Sequence, residues 1–143
     1  MIAQILIGTL MIVVTIAFGA LIIACSESLA ARWFSRQRKR DNAFVIKSVM
    51  SSTLTFVVAL TVMVWLWALL FWGLSIFPEL EPSLYFSLVA FTTLGFGDVI
   101  LPNEWRLLAG FIAANGFILF GLGTAYMMET LQLSDLRIKG DSI

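Results

Sequence analysis

The sequence predicts an all-helical membrane protein with three transmembrane helices and one shorter segment that enters the membrane and returns. Of its 143 residues, 60% are hydrophobic and 13% charged, and the mean hydropathy is +0.97, far more apolar than a soluble domain. Three uncharged stretches, 1–26, 48–78 and 107–128, reach the roughly 20 residues that cross a hydrocarbon core. A fourth, 82–97, is too short to span and suits a re-entrant segment.

The chain forms one domain without a repeat or a linker. We expect three long helices, over 1–26, 44–78 and 105–131, and one short helix over 82–93. A basic loop over 27–43 follows the first helix, a glycine-containing loop over 93–98 follows the short helix, and a tail over 132–143 ends the chain. Pro82 suits the first turn of the short helix, and Glu81 favours the positive end of its dipole. The carbonyl end of that helix would then point into the membrane, where its partial negative charge favours a cation.

The distribution of charge predicts the orientation of the chain. The loop after the first span contains five basic residues, Arg32, Arg36, Arg38, Lys39 and Arg40. Such loops stay in the cytoplasm, so we expect a multi-pass protein of the cell membrane with its N-terminus outside and its C-terminus in the cytoplasm. A short basic run such as 36–40 can also bind nucleic acid. Its position beside a span favours a topology signal or contact with anionic lipid instead, so no nucleic-acid partner is expected.

Two residue types bear on catalysis. The chain has no histidine and one cysteine, Cys25, so it lacks an imidazole catalyst and cannot form an intrachain disulfide. We therefore expect neither an enzyme nor a cofactor. Residues 22–25 resemble a lipoprotein cleavage box, but the N-terminus lacks the basic residues of a signal peptide. A small apolar residue at a helix end is the favoured interpretation of Cys25.

Residues 92–98 read Thr-Thr-Leu-Gly-Phe-Gly-Asp and indicate an ion pore. Backbone carbonyl oxygens replace the water around a cation only if they all point toward a common axis. Alternating right-handed and left-handed dihedrals allow this, and glycine enters the left-handed region without steric cost. Gly95 and Gly97 stand two residues apart for that purpose. Thr93 can add its hydroxyl oxygen at the inner end, and Asp98 places a carboxylate at the outer mouth.

The alternative for this motif is an ordinary glycine turn after two threonines, which is common. The uncharged runs on both sides favour the pore, because irregular backbone at membrane depth is tolerated only where it lines a cavity or is buried in protein. A closed ring of carbonyls needs several motifs, and the chain has one. We therefore expect a cyclic homo-oligomer with the pore on its symmetry axis.

The segment 44–131 resembles the potassium-channel pore family, and most closely its small bacterial members of the ion-channel or two-pore type. The motif Thr-x-Gly-Phe-Gly-Asp carries the resemblance. It implies a homotetramer in the lipid bilayer that conducts K⁺, held by the carbonyls of Thr93, Leu94, Gly95 and Phe96, with Gly97 completing the selectivity filter. The inner helix resembles the family's hinge segment, which implies a hinge at Gly116 and places Phe120 and Thr124 toward a cavity.

The chain departs from the family pattern in three ways, and the first two concern the filter. Leu94 stands where valine or isoleucine is usual, and Phe96 replaces the commoner tyrosine, so packing against Phe86 would replace a hydrogen bond. Tyr85 matches a position that often donates to the filter aspartate, Asp98. The resemblance therefore implies that Asp98, Tyr85 and Thr92 support the filter. The third departure is the extra N-terminal helix, which has no row of arginines and so is no voltage sensor of the usual kind.

The sequence thus predicts a K⁺-selective channel that conducts passively down the electrochemical gradient. Two alternatives stay open. A weakly selective cation channel is compatible with leucine at position 94. A scaffold or modulatory subunit that does not conduct would keep the same pore fold. The apolar spacing that places Phe120 beside a cavity is also typical of a side chain packed between helices.

Overall fold

The computed structural model describes residues 1–34 and 42–140. Its four helices are α1 (Ile2–Phe34), α2 (Asn42–Gly73), α3 (Leu80–Phe91) and α4 (Leu107–Gly140). Three of them are long and apolar enough to cross a membrane, over Ile2–Ser26, Val45–Gly73 and Leu107–Gln132. At 1.5 Å per residue the shortest of these is about 37 Å long, whereas the 12 residues of α3 measure about 18 Å and cannot span. The prediction of an all-helical chain with three spans is confirmed for the described residues.

Two helices extend further than predicted. α1 continues to Phe34, into the predicted basic loop 27–43, and α4 continues to Gly140, into the predicted tail 132–143. Once a helix has formed in the membrane, each further residue adds one hydrogen bond at little cost, so good helix formers prolong it past its apolar segment. The basic residues 36–40 and the chain end 141–143 lie outside the described residues.

α2 ends at Gly73, five residues before the predicted bound of 78. The Ile76 N–H donates to the Phe71 carbonyl (3.0 Å) and the Ser75 N–H to the Trp72 carbonyl (2.9 Å). Ser75 is left-handed, with φ 53°. This is a Schellman motif, which satisfies the last carbonyls of the helix and reverses the chain. The sequence did not reveal it, because its left-handed residue is a serine and not a glycine.

Four further helix bounds differ from the prediction by two residues, and the first is the start of α2, at Asn42 in place of 44. α3 covers Leu80–Phe91 in place of 82–93, and Pro82 lies third in the helix, where its missing N–H costs no intrahelical bond. α4 begins at Leu107 in place of 105. The preceding residues form a turn in which the Trp105 N–H donates to the Pro102 carbonyl (2.8 Å).

The core joins α3 to α2 through aromatic rings. The Phe71 ring lies 5.4 Å from that of Phe86 and 6.4 Å from that of Phe77, centroid to centroid, both in edge-to-face contact. Trp67, one turn before Phe71, is fully buried beside them. Such pairs are favourable beyond the area they bury. They hold the middle of α3 against the last turns of α2, so α3 runs back along α2.

α1 lies parallel to α4, because their contacts advance together along both helices. Gln4 hydrogen-bonds at the start of α4, Gly8 faces Phe111, and Thr15 hydrogen-bonds to Asn115. The four buried positions in the first two-thirds of α1, namely 4, 8, 15 and 19, lie on this face. The starts of α1 and α4 therefore lie at the same end of the helix bundle.

Candidate functional site

The end of α3 holds the segment 92–98 that the sequence singled out. The Thr92 N–H donates to the Leu88 carbonyl (3.1 Å), and its hydroxyl donates to the same carbonyl (2.8 Å). The Thr93 N–H then donates to Ala90 (3.0 Å), and the Leu94 N–H to Val89 (3.0 Å). These bonds satisfy carbonyls at the end of the helix that would otherwise lack a hydrogen-bond donor. They anchor the first half of the segment directly on α3.

The sign of φ alternates along this segment. Positive φ values occur at Thr93 (60°), Gly95 (59°) and Gly97 (78°), while the intervening Leu94 and Phe96 have negative φ. Successive residues of opposite handedness turn their amide groups to one side of the backbone, so the carbonyls share the other side. This is the backbone pattern from which carbonyl-lined cation sites are built.

Thr93 was predicted as a site residue, but its left-handed conformation was not predicted. The left-handed conformation was expected at the glycines alone, and for a β-branched residue it is a true outlier that costs about 1 to 3 kcal/mol. Strain of this kind persists only where the surroundings enforce it, and it is concentrated at functional sites. The hydrogen bond from the Thr93 N–H to α3 is the local constraint. No feature of residue type signals it.

The segment is exposed on the isolated chain. All residues from 92 to 98 are exposed, and the large apolar side chains Leu94 and Phe96 are 58% and 66% exposed. A Cβ added at Gly95 or Gly97 would meet nothing within 4 Å. Glycine is therefore required at these two positions by the sign of φ and not by lack of space.

The hydrogen bond expected between Tyr85 and Asp98 is present. The Tyr85 hydroxyl donates to Asp98 Oδ2 at 2.6 Å and so ties α3 to the far end of the segment. This bond lowers the pKa of the Asp98 carboxyl below its ordinary value. The same bond, together with desolvation and the nearby carboxylate, raises the pKa of the Tyr85 hydroxyl above 10.0.

The two shifts define the pH range of this contact. Because the pKa of Asp98 is lowered, the contact stabilises the fold above the ordinary carboxyl pKa and is lost as pH falls through the lowered value. Because the pKa of Tyr85 is raised, the contact is complete below 10.0 and is lost as pH rises through the raised value. The Asp98 carboxylate therefore keeps its negative charge through mildly acidic pH.

Tyr85→Phe removes the donor, and we expect the pKa of Asp98 to return toward its ordinary value. Acidification from the Asp98 side should then reduce ionic current at a higher pH in the variant than in the wild type. Current recorded against pH measures this shift. Tyr126→Phe is the matched control, since Tyr126 lies on α4 beside the cavity between α1, α2 and α4. Identical pH curves for Tyr85→Phe and wild type would contradict the role of the hydrogen bond.

The inner-helix residues expected to form a hinge and a cavity have different surroundings. Gly116 is buried, and a Cβ there would overlap the Phe91 carbonyl oxygen at the end of α3. The Phe120 ring packs between Phe56 of α2 (6.3 Å) and Phe91 (6.2 Å). Thr124 is exposed, and its hydroxyl donates to the Phe120 carbonyl of its own helix (2.9 Å).

These contacts favour a packing role for Phe120, the alternative that the sequence left open. Phe86, expected to pack against Phe96, is 7% exposed and lies against Phe71 and Phe77, whereas Phe96 is exposed. Within the single chain the two rings are thus in different environments. The Phe96 side chain is exposed on the surface of the chain.

Comparison with protein families matches residues 51–133 to the model of a family described as ion channel. The match covers more than half of the 143 residues and includes most of α2, all of α3, the segment 92–98 and most of α4. α1 lies before it. Curated proteins and solved structures gave no match to the chain. This match, which includes the segment 92–98 between two helices long enough to span a membrane, shows that the chain belongs to the ion-channel family.

Proposed function

We propose that this channel is selective for K⁺ and conducts it passively through a filter formed by residues 93–97 of four identical subunits. The carbonyl oxygens of Thr93, Leu94, Gly95 and Phe96 replace the hydration shell of the ion. The alternating sign of φ at positions 93, 95 and 97 is the observation that carries the proposal. A common glycine turn needs one left-handed residue, whereas this segment has three at alternate positions.

Assembly around an axis is supported by the surface of the single chain. Leu88 on α3 is 51% exposed, Leu94 58%, Phe96 66% and Ile100 73%. Irregular backbone at membrane depth must be covered by protein or line a cavity, and the isolated chain leaves the segment 92–98 exposed. Each subunit supplies one filter strand, and identical copies related by a cyclic axis would cover the segment and close the ring of carbonyls.

The position of α3 supports its assignment as the pore helix. It starts at the end of the bundle where α2 ends and α4 begins, and its last carbonyl lies against Gly116, nine residues into α4, or about 14 Å along that helix. In the membrane this geometry corresponds to a helix that enters from one face and ends midway. Its carbonyl end carries partial negative charge, which would favour a cation beneath the filter.

The inner part of the pathway is formed by α4. Thr124 is exposed on the isolated subunit and would contribute to the wall of a water-filled cavity. Gly116 and Phe120 complete the inner-helix segment for which the sequence resemblance implies a hinge and a cavity. In the proposed channel, the main role of Gly116 is to let α4 pack against the end of the pore helix.

The proposed orientation places the N-terminus outside and the C-terminus in the cytoplasm of a cell membrane. The basic residues that follow α1 predict a cytoplasmic loop. The starts of α1 and α4 share one end of the bundle with Asp98 and Glu104. This end is the outer mouth in the proposed orientation.

Bi-ionic reversal potentials test the proposal. With K⁺ on one side of a planar bilayer and Na⁺ on the other, the current through the purified channel should reverse at a potential far from zero. Each tenfold ratio of K⁺ to Na⁺ permeability contributes about 59 mV. A hundredfold preference therefore corresponds to about 118 mV. A reversal potential near zero with measurable current would identify a weakly selective cation channel. Absence of current from correctly assembled protein would identify the scaffold.

A further inference from the structure

α1 lies outside the matched family segment, yet it makes specific polar contacts with the inner helix. At the start of α4, the Gln4 side chain accepts from the Leu107 N–H (3.2 Å) and donates to the Glu104 carbonyl. Gln4 therefore satisfies an N–H that has no partner within α4. Directly below, the Phe111 ring packs on Gly8, where a side chain would overlap it.

The second polar contact lies in the middle of the bundle. Asn115 Nδ2 donates to Thr15 Oγ1 at 2.8 Å, and both residues are fully buried, with exposed fractions of 0%. The Thr15 hydroxyl donates its own proton to the Met11 or Ile12 carbonyl, so only its lone pairs face Asn115. The amide must therefore donate. Because the Thr15 proton is used within α1, the hydrogen bond can run only from the Asn115 amide to the Thr15 hydroxyl oxygen.

Asn115 is followed in α4 by Gly116, a residue that closely approaches the end of α3. The adjacent Gly116 lies against the Phe91 carbonyl, and Phe91 is the last residue of α3, two positions before the strained Thr93. Consecutive residues of α4 thus contact α1 on one side and the end of the pore helix on the other. A rotation of α4 that breaks the contact with Thr15 would therefore also move Gly116 relative to the Phe91 carbonyl.

From this arrangement we infer that α1 positions the filter. The hydrogen bond between Thr15 and Asn115 sets the rotation of α4, and α4 in turn holds the end of α3 where Thr93 begins the filter. Thr15 and Asn115 are positioning residues for ion selectivity, although neither contacts an ion. The inference rests on the proposed function, since it concerns the selectivity of that same filter.

Thr15→Val keeps the shape of the side chain and removes the acceptor. We expect it to lower the K⁺/Na⁺ permeability ratio at least tenfold, a change of about 59 mV in the bi-ionic reversal potential. Thr15→Ser keeps the hydroxyl and should keep the ratio. The matched control is Thr61→Val, because the exposed Thr61 also donates to its own helix, to the Val57 carbonyl (2.9 Å).

A double variant separates positioning from burial. Thr15→Val with Asn115→Leu leaves no unpaired polar group, and such paired apolar replacement is often nearly neutral for stability. We expect thermal stability of the tetramer to return to the wild-type value while the permeability ratio stays low. Recovery of the ratio in the double variant would overturn the inference, because burial alone would then suffice. An unchanged ratio in Thr15→Val would overturn it as well.

Wild-type protein measured in the same bilayers distinguishes the two proposals. If the wild type prefers K⁺ and Thr15→Val does also, the inference fails and the proposed function stands. If the wild type shows no preference, the proposed function fails. Should Thr15→Val not assemble, the double variant is compared directly with wild type, and a wild-type ratio in it would overturn the inference.

Discussion

Gly95→Ala should abolish K⁺ selectivity or current. Gly95 has φ 59°, and a Cβ opposes that conformation by about 1 to 2 kcal/mol. Because the proposed pore has four copies, the total is about 4 to 8 kcal/mol per tetramer, enough to displace the filter from its conducting form. Bi-ionic reversal potential and single-channel current measure the effect.

The matched control is Gly110→Ala on α4. A Cβ would have open space at both positions, but position 110 is helical with negative φ, where alanine is favoured over glycine by about 1 kcal/mol. We expect Gly110→Ala to conduct like the wild type. If Gly95→Ala kept the same preference for K⁺ over Na⁺, residues 93–97 would not form the filter.

Gly116→Ala should destabilise the assembled channel. Its Cβ would lie 2.8 Å from the Phe91 carbonyl carbon and nearer still to the oxygen, well inside the roughly 3.5 Å of an ordinary contact. The obstacle is backbone and cannot rotate away, so we expect a cost of at least about 1 to 3 kcal/mol per subunit. Thermal unfolding of the tetramer in detergent, with reversal potentials for any assembled fraction, measures both stability and filter geometry.

Gly121→Ala is the control on the same helix, since a Cβ at position 121 would have no neighbour within 4 Å. This variant should be at least as stable as the wild type. Wild-type stability and selectivity in Gly116→Ala, combined with altered opening, would instead indicate the hinge that the sequence resemblance implied. That result would contradict the close contact between α3 and α4.

Features that depend on residues close together in the sequence were predictable from it. Apolar length identified the three spans, because crossing the hydrocarbon core depends on composition over about 20 residues. The two glycines at 95 and 97 predicted left-handed backbone. The contact between Tyr85 and Asp98 was also expected, from resemblance to a family in which the short helix and the loop return the chain to the same end of the bundle.

Several bounds and conformations were not predictable from residue type. α2 ends in a motif whose left-handed residue is Ser75, and the proposed filter begins with a left-handed Thr93. Neither residue type favours that conformation. In both places hydrogen bonds to the preceding helix enforce it, and their formation depends on how the whole segment packs.

By itself, the sequence determined the fold class, the membrane setting and the location of the proposed filter, because each depends on local composition or on a short motif. Only the tertiary structure decided which polar residues meet. Thr15 and Asn115 are 100 residues apart, and nothing near either one in the sequence indicates that they form a hydrogen bond. The role of Gly116 likewise follows from the approach of α3, since a helical glycine is a hinge or a close contact according to what lies beside it.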